Sequence, residues 1–402
     1  MRRRPAAAIS AAVIVALGML SAPAVAVDAP ATRASVPRAP SAADGGGIDA
    51  RAAQLVERMS TAEQAASVVM GHIPTTDPTA LASYMQQGFG GFILMGANVP
   101  ESGDVTVVTD ALVADADADA DADPPPLLAI DQEGGIVSRL GADTYPASTS
   151  LKTQPVAATS AAFAARAALV ARSGIHVNFG TVADVPADSA SFIFGRALGA
   201  DPQSAAERVV AATAAQEPVV ASTLKHFPGH GAAPGDSHHA IPSTTETLDE
   251  WRATDAVPFA AGVDAGASLL MFGHLAYTAI DAAPASLSPA WHEIARDELG
   301  FDGVIVTDDL GMLSSSGIAA YADPVANAVT ALAAGSDLLL MIAGSTPDTA
   351  GQIAAGITAA VEAGTVPEER LVDAATRVMA LRLQQATAST EWTLCAECTP
   401  VD

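Results

Sequence analysis

Short, uninterrupted apolar segments recur along this chain and alternate with Ala-rich segments of helical periodicity. Eight such segments are found, at positions 67–72, 91–96, 127–131, 175–180, 220–227, 268–274, 303–309 and 336–342. Strands that are apolar on both faces are typical of a parallel sheet covered by helices. The eightfold alternation predicts an α/β fold, a single-domain (β/α)8 TIM-type barrel. A doubly wound open sheet could use the same strands, but no Gly-x-Gly-x-x-Gly sequence follows a strand and no Walker sequence is present.

Two helix starts are marked by their residue types. Ser60 precedes a helical segment and has Glu63 three residues later, which is a capping-box pattern. Ser288 and Pro289 together favour a second helix start, and Gly300 can end that helix. Both patterns fit helices that alternate with the predicted strands.

Polar residues lie at the carboxyl ends of four predicted strands. They are Asp131, the pair Lys225 and His226, His274 and Asp308. Functional sites of such barrels are formed by the loops that follow the strands. The five side chains are therefore predicted to surround one pocket.

The ends of the chain differ in composition from its middle. Residues 1–26 combine arginines, an apolar stretch and Ala24 and Ala26 in A-x-A register, which is typical of a secretory signal peptide. We therefore expect a secreted protein. We expect no membrane span, because no other segment has about 20 consecutive apolar residues. Residues 27–48 are rich in Ala, Pro, Ser and Gly and predict a flexible linker. The barrel is expected over 49–386, followed by a C-terminal tail over 387–402.

Two further segments are compositionally unusual. An Ala-Asp repeat between Ala114 and Pro126 predicts a solvated loop, since it lacks the glycine and the final glutamate of a calcium loop. Cys395 and Cys398 are the only cysteines. A small disulfide in the tail is favoured over a redox motif or half of a metal site in an exported chain.

Charge narrows the class of partner. The chain has 19 basic and 45 acidic residues and a formal net charge of −26, which disfavours binding to nucleic acid or to anionic lipid.

Only two lysines occur, Lys152 and Lys225. Lys225 directly precedes His226 in the sequence KHFPGHGAAPGDSHHAIP, which holds four of the eight histidines. This loop sequence is therefore the main candidate for chemistry.

Four sequences together resemble the glycoside hydrolase family 3 enzymes, and within them the β-N-acetylglucosaminidase branch. They are IDQEGG followed by Arg139, KHFPGHG at 225–231, DSHHAIP at 236–242 and VTDDLGM at 306–312. The resemblance extends over nearly the whole chain after the linker. It implies a retaining exo-β-N-acetylglucosaminidase that needs no cofactor and acts on peptidoglycan fragments or related oligosaccharides. Ala232 and Ile136 stand where the family usually has aspartate and arginine, which affects loop and subsite structure.

The resemblance also implies the catalytic roles. A retaining glycosidase needs a carboxylate nucleophile and a group that first donates and later accepts a proton. Asp308 matches the family's nucleophile; the alternative, a helix cap, suits Asp309 better. Asp236 and His238 match an Asp-x-His dyad that replaces the usual carboxylic acid. A histidine titrates near pH about 6.5, and a nearby carboxylate can fix its tautomer.

Sugar-binding roles follow from the same resemblance. Asp131, Arg196, Lys225 and His226 match positions that hold the hydroxyls of the terminal sugar, and charge-assisted hydrogen bonds suit that task. A structural ion pair is the alternative for Arg196. His274 is expected to line the pocket, with a core position as the alternative. Arg139 is expected to have a structural role around the Asp131 turn.

The sequence is also compatible with other functions. Histidine and carboxylate are zinc ligands, but Pro228 and Gly229 prevent a helix between His226 and His230, and a metal there would have Lys225 as a cationic neighbour. No metal site is therefore predicted. A β-glucosidase or another exo-β-hexosidase is the alternative within the family. A catalytically silent wall-glycan-binding module is the alternative outside it, and a serine hydrolase is disfavoured because no Gly-x-Ser-x-Gly sequence occurs.

Overall fold

The computed structural model describes residues 42–114, 124–235, 237 and 240–392, with the backbone alone at 42–45 and 387–392. The predicted signal peptide, residues 27–41 of the predicted linker, residues 115–123 of the Ala-Asp repeat, and both cysteines lie outside these residues. So do Asp236 and His238. The strands and helices below are those of the described residues.

The ten strands form one large and one small sheet. In chain order they are β1 (Val69–Gly71), β2 (Gly91–Leu94), β3 (Leu127–Ile130), β4 (Val177–Val182), β5 (Ala221–Phe227), β6 (Ser243–Thr244), β7 (Leu269–Phe272), β8 (Ala276–Tyr277), β9 (Val304–Thr307) and β10 (Leu339–Leu340). The large sheet has the order β10-β1-β2-β3-β4-β5-β7-β9, and every neighbouring pair is parallel. A parallel bridge between Val306 and Leu338 joins its two ends, so the sheet closes into a barrel.

All eight predicted strands and the barrel fold are confirmed. The small sheet, in which β6 pairs with β8, was not predicted. Each of its strands has two residues, which is too short for a periodic pattern. It lies between β5 and β9 in the chain and ties the loop after β5 to the loop after β7.

Helices alternate with the strands. They are α1 (Ala42–Glu57), α2 (Thr61–Ser67), α3 (Pro78–Met85), α4 (Thr106–Leu112), α5 (Ser148–Leu151), α6 (Val156–Arg172), α7 (Pro202–Gln216), α8 (Leu248–Ala253), α9 (Ala256–Asp264), α10 (Pro289–Glu293), α11 (Leu310–Ser315), α12 (Pro324–Ala334), α13 (Thr349–Glu362) and α14 (Glu368–Trp392). The predicted capping box of Ser60 and Glu63 is present at the start of α2. Ser288 caps α10, which continues as a π-helical turn over Ile294–Glu298 before Gly300. Among the described residues, no helix is both long and apolar enough to cross a membrane.

Two helices extend across the predicted boundaries. The linker was expected to continue to residue 48, but α1 begins at Ala42. Ile48 packs against the core and α1 packs along α14, so tertiary contacts override a composition with three consecutive glycines. At the other end, α14 continues to Trp392, past the boundary expected at 386.

The barrel interior is packed with side chains. Phe179, Met271 and Val306 belong to one cluster that takes residues from all eight strands. Val378 and Leu381 of α14 join the same cluster, and Arg382 of this helix donates to the carbonyl oxygens of Pro124 and Pro125, just before β3. Helix α14 therefore closes the amino-terminal end of the barrel. The carboxyl end of the barrel is the end at which functional sites of this fold are formed.

Candidate active site

A cavity of about 330 Å³ lies at the carboxyl end of the barrel. Five of the predicted site residues line it: Asp131, Arg196, Lys225, His226 and Asp308. Its remaining wall is partly apolar and includes Met95, Met271, Met312, Leu340 and Ile342. A larger cavity of about 550 Å³, lined by Arg58, Phe89, Pro124 and Arg382 among others, contains none of these five side chains. The carboxyl-end cavity is therefore the candidate active site.

Asp308 occupies the first position after β9. Its backbone N–H donates to the carbonyl of Phe272 on the neighbouring strand, at 2.8 Å, and its side chain is partly exposed in the cavity. Burial works to raise the pKa of this carboxyl, but His226, His274 and the backbone N–H of Asp309 lower it to about 2. Asp308 is therefore an anion with access to the cavity at any ordinary pH.

Asp309 has a different role, as expected from the sequence. Its side chain caps α11 by accepting from the N–H of Gly311 at 2.8 Å. It also accepts from the N–H groups of Ile342 and Ala343, at 2.7 and 2.9 Å, in the loop after β10. The cap prediction for Asp309 is confirmed, and its bonds join the turn after β9 to the loop after β10.

A network of opposite charges surrounds Glu133. Lys225 Nζ lies 2.9 Å from Asp131 Oδ1 and 2.8 Å from Glu133 Oε1. Arg196 makes a two-bond pair with Glu133, with Nη2–Oε1 at 2.7 Å and Nε–Oε2 at 3.0 Å. Burial works to raise the pKa of Glu133, but Lys225 and Arg196 lower it to about 2. One buried carboxylate thus positions two cations that were predicted to bind sugar.

The sequence IDQEGG is explained by this arrangement. Gly134 and Gly135 both have a positive φ, 88° and 71°, which side chains other than glycine rarely adopt. Their turn allows the N–H groups of Glu133 and Gly134 to donate to the carbonyl of Val137. Sequence reasoning used Asp131 of this motif and missed Glu133. A carboxylate next to a turn of two glycines was the available signal.

His226 is oriented by Asp184. Its Nδ1 lies 2.7 Å from Asp184 Oδ2, while Asp184 Oδ1 accepts from the backbone N–H groups of His226 and His230. The Nδ1–H of His226 therefore donates to this fully buried carboxylate, and its Nε2 faces Arg196 at 3.4 Å. Asp184 was also missed. It follows β4 by two residues, so the rule of polar residues after strand ends could have found it.

Arg139 and His274 have different positions. Arg139 lines the cavity and lies 3.5 Å from Asp131 Oδ2, in agreement with its expected role around the Asp131 turn. His274 is 1% exposed and is not among the residues that line the cavity. Its Nδ1 lies 2.7 Å from Ser286 Oγ, and its Nε2 lies 2.8 Å from the carbonyl oxygen of Asp309. The expectation that His274 lines the pocket is corrected, because both ring nitrogens are bonded behind the pocket wall.

The loop after β5 is described only in part. The peptide bonds Lys225–His226 and Phe227–Pro228 are cis. Asp236 and His238, the predicted acid/base dyad, lie outside the described residues. Ser237, between them in the chain, lines the cavity. Within the described residues, no group of three His, Cys, Asp or Glu side chains is placed to hold a metal ion.

Replacing Glu133 by glutamine is expected to lower the free energy of unfolding by about 3 kcal/mol at pH 7, because two cations then lose a buried anionic partner. The pKa of Glu133 is depressed from 4.5 to about 2 in the folded protein. Its contribution is therefore complete above the unfolded value and is lost as the pH falls from 4.5 towards 2. Urea unfolding at several pH values measures this effect.

The difference between the wild type and Glu133→Gln should shrink steadily on acidification through that range. Glu362→Gln, which removes one exposed carboxylate at the end of α13, is the matched control and should change stability by less than about 0.5 kcal/mol. A difference for Glu133→Gln that is small at neutral pH, or independent of pH, would contradict the assigned network.

Comparison with known proteins identifies the family. The family described as "Glycosyl hydrolase family 3 N terminal domain" matches residues 52–381. A protein of Pseudomonas aeruginosa strain LESB58 named beta-hexosaminidase is 38% identical over 261 residues, which cover 63% of this chain and 74% of that protein. A protein of the same name from Methylococcus capsulatus is 34% identical and is covered over 78% of its length.

Solved structures agree with the fold. A glycoside hydrolase family 3 beta-N-acetylglucosaminidase from Paenibacillus superposes with a TM-score of 0.74 at 28% identity, covering 82% of this chain but 63% of that longer chain. A beta-N-acetylhexosaminidase from Beutenbergia cavernae has a TM-score of 0.72 at 29% identity, with 81% of this chain and 98% of that chain covered. The family match over most of the barrel, together with a carboxylate-bearing pocket at its carboxyl end, shows that the chain belongs to glycoside hydrolase family 3.

Proposed function

We propose that this protein is a retaining exo-β-N-acetylglucosaminidase, which hydrolyses terminal β-linked GlcNAc through a covalent intermediate on Asp308. The general activity of a β-N-acetylhexosaminidase is supported by the family match and by relatives named beta-hexosaminidase. The proposed covalent mechanism rests on the position of Asp308, whose anionic carboxylate shares one cavity with Asp131, Arg196, Lys225 and His226.

The first chemical step would use Asp308 as nucleophile. A carboxylate oxygen of Asp308 attacks the anomeric carbon while the bond from that carbon to the leaving oxygen breaks. The imidazolium of His238 donates its proton to the leaving oxygen, and the carboxylate of Asp236, two residues earlier in the chain, would stabilise this protonated form. The low pKa of Asp308 keeps the nucleophile ionised while the histidine is protonated.

The second step would reverse the proton transfer. Neutral His238 accepts a proton from water, whose oxygen attacks the anomeric carbon, and the bond to Asp308 breaks. Two displacements at the same carbon return the original β configuration. Lys225, Arg196 and Asp131 hold the sugar hydroxyls through both steps, and Glu133 and Asp184 keep the binding groups in place.

The pocket supports removal of a terminal unit. A volume of about 330 Å³ is at the low end of small-molecule sites, and the charged groups lie around one cavity. Glycan fragments that carry GlcNAc at the non-reducing end, including those from peptidoglycan, are the proposed substrates. This choice rests on the resemblance of the sequence motifs.

Release of p-nitrophenol from the β-GlcNAc and β-glucose glycosides is the test of this function. We expect turnover of the GlcNAc glycoside to exceed turnover of the glucoside by at least about 100-fold, since a site that hydrogen-bonds a substrate group discriminates strongly against an analogue that lacks the group. Preferred turnover of the glucoside would identify a β-glucosidase instead. No turnover of either would point to a silent glycan-binding module. Release of GlcNAc from GlcNAc–MurNAc fragments, compared with chitobiose, then tests the peptidoglycan proposal.

We also propose that the protein is exported, on the basis of residues 1–26. Amino-terminal sequencing of the protein from the culture medium is the measurement. A chain that begins at Val27 is expected, and an intact chain found only inside the cell would contradict export.

A further inference from the structure

His230 is a histidine of the KHFPGHG sequence for which the proposed reaction has no role. It begins a short 3-10 turn after β5 and lines the active-site cavity beside His226. Its residue exposure is 1%. The side chain is thus almost completely removed from solvent at the wall of the pocket.

Neither ring nitrogen of His230 has a hydrogen-bond partner within the described part of the chain. By contrast, His226 and His274 have both nitrogens close to polar atoms. An unpaired polar group in a buried position costs about 1 to 3 kcal/mol. A polar group left unpaired in this way can be completed by water, by an ion or by a bound substrate.

The position of His230 is set by a backbone hydrogen bond and by two neighbouring rings. Its backbone N–H donates to Asp184 Oδ1 at 2.6 Å, so the same carboxylate that orients His226 also holds His230. The ring lies edge-on to Phe192, with centroids 4.6 Å apart, and edge-on to His226 at 5.9 Å. These contacts place the ring at the wall of the cavity beside His226.

The chemistry of the ring limits its ligand. Burial, with a smaller effect of His226, lowers the pKa of His230 to about 4, so the imidazole is neutral near pH 7. A neutral imidazole offers one N–H donor and one acceptor nitrogen. That pair suits a hydroxyl group, which can accept or donate, better than an anion or a cation.

We propose that His230 is a further sugar-binding residue, whose neutral ring forms a hydrogen bond with one hydroxyl of the terminal sugar and thereby contributes to specificity. The proposal rests on the proposed glycosidase function. It adds an uncharged contact to the charged ones from Asp131, Arg196 and Lys225. A substrate without that hydroxyl would leave the buried ring unpaired, which is an effective basis for discrimination.

Two substitutions separate hydrogen bonding from packing. His230→Phe keeps an aromatic ring against Phe192 but removes both nitrogens, whereas His230→Gln keeps a donor and an acceptor and removes the ring. We expect kcat/KM for the β-GlcNAc p-nitrophenyl glycoside to fall about tenfold or more in His230→Phe and by a smaller factor in His230→Gln. Phe192→Leu, which changes the packing on the ring and leaves both ring nitrogens in place, is the control and should lower kcat/KM less than His230→Phe does.

Deoxy substrates identify the hydroxyl. The 3-, 4- and 6-deoxy analogues of the β-GlcNAc glycoside are compared in the wild type and in His230→Phe. For one analogue, the loss seen in the wild type should largely disappear in the variant, since the two changes remove the same contact. Additive losses for all three analogues would overturn the proposal, as would a His230→Phe variant with wild-type kcat/KM.

Activity of the wild type separates failure of the proposed glycosidase function from failure of the proposed role of His230. If the wild type does not turn over the GlcNAc glycoside, the proposed function fails first. If the wild type is active and the His230→Phe variant is equally active, only the inference fails. Thermal unfolding of each variant checks its fold, and if His230→Phe is unfolded, the comparison is made with His230→Leu.

Discussion

Replacing Asp308 by asparagine is expected to lower kcat for the β-GlcNAc glycoside by about 10⁴-fold or more, because loss of a catalytic nucleophile removes the covalent route. The amide has nearly the same shape, so the cavity and the bonds of Asp309 should persist. Asp302→Asn, which removes an exposed carboxylate shortly before the same strand, is the matched control and should leave kcat unchanged.

Two further measurements make this result specific. Azide can replace the missing carboxylate as a nucleophile, and it should partly restore turnover in Asp308→Ala with an α-glycosyl azide as product. In the wild type, a 5-fluoro GlcNAc donor should label the peptide that contains Asp308, because fluorine slows the second step. Label on a different peptide, or an Asp308→Asn variant with more than about a tenth of wild-type kcat, would refute the assignment.

His238→Ala is expected to have an effect that depends on the leaving group. Removal of a general acid costs about 10²- to 10⁴-fold when the leaving oxygen needs a proton. Chitobiose has such a leaving group, whereas p-nitrophenolate leaves readily as an anion. The fall in kcat/KM should therefore be at least about tenfold larger for chitobiose than for the p-nitrophenyl glycoside.

The pH dependence gives an independent check of the dyad. The wild-type kcat/KM for chitobiose should fall as the pH rises past the usual histidine range near about 6.5, because the proton donor is then lost. Asp308 cannot produce that limb, since its pKa is about 2. Equal losses on both substrates in His238→Ala, or an unchanged alkaline limb in that variant, would exclude His238 as the acid.

Periodicity was sufficient to predict the barrel. Each of the eight predicted segments contains or overlaps one strand of the large sheet. A short run of apolar residues is typical of a parallel strand that is buried on both faces. The boundaries were less predictable. Ile48 packs against the core and α1 packs along α14, and local composition does not report such contacts between distant segments.

The site was predictable to the extent that its residues lie at the carboxyl end of a strand or directly after it. Asp131, Lys225, His226 and Asp308 obey that rule and meet in one cavity. Glu133 and Asp184 act through other side chains, so their importance depends on distances that a sequence does not contain. His274 obeys the rule but faces Ser286 and the Asp309 carbonyl, because a position at a strand end does not determine which way a ring points.

The two hydrogen bonds that Asp309 accepts from the N–H groups of Ile342 and Ala343 connect the last loop of the barrel to the residue beside Asp308. That loop supplies no reacting group. A shift of its backbone would nevertheless move Asp309 and, through the shared backbone, the carboxylate of Asp308, the proposed nucleophile. The loop after β10 is therefore a place where sequence change can tune the reaction rate while every reacting group remains the same.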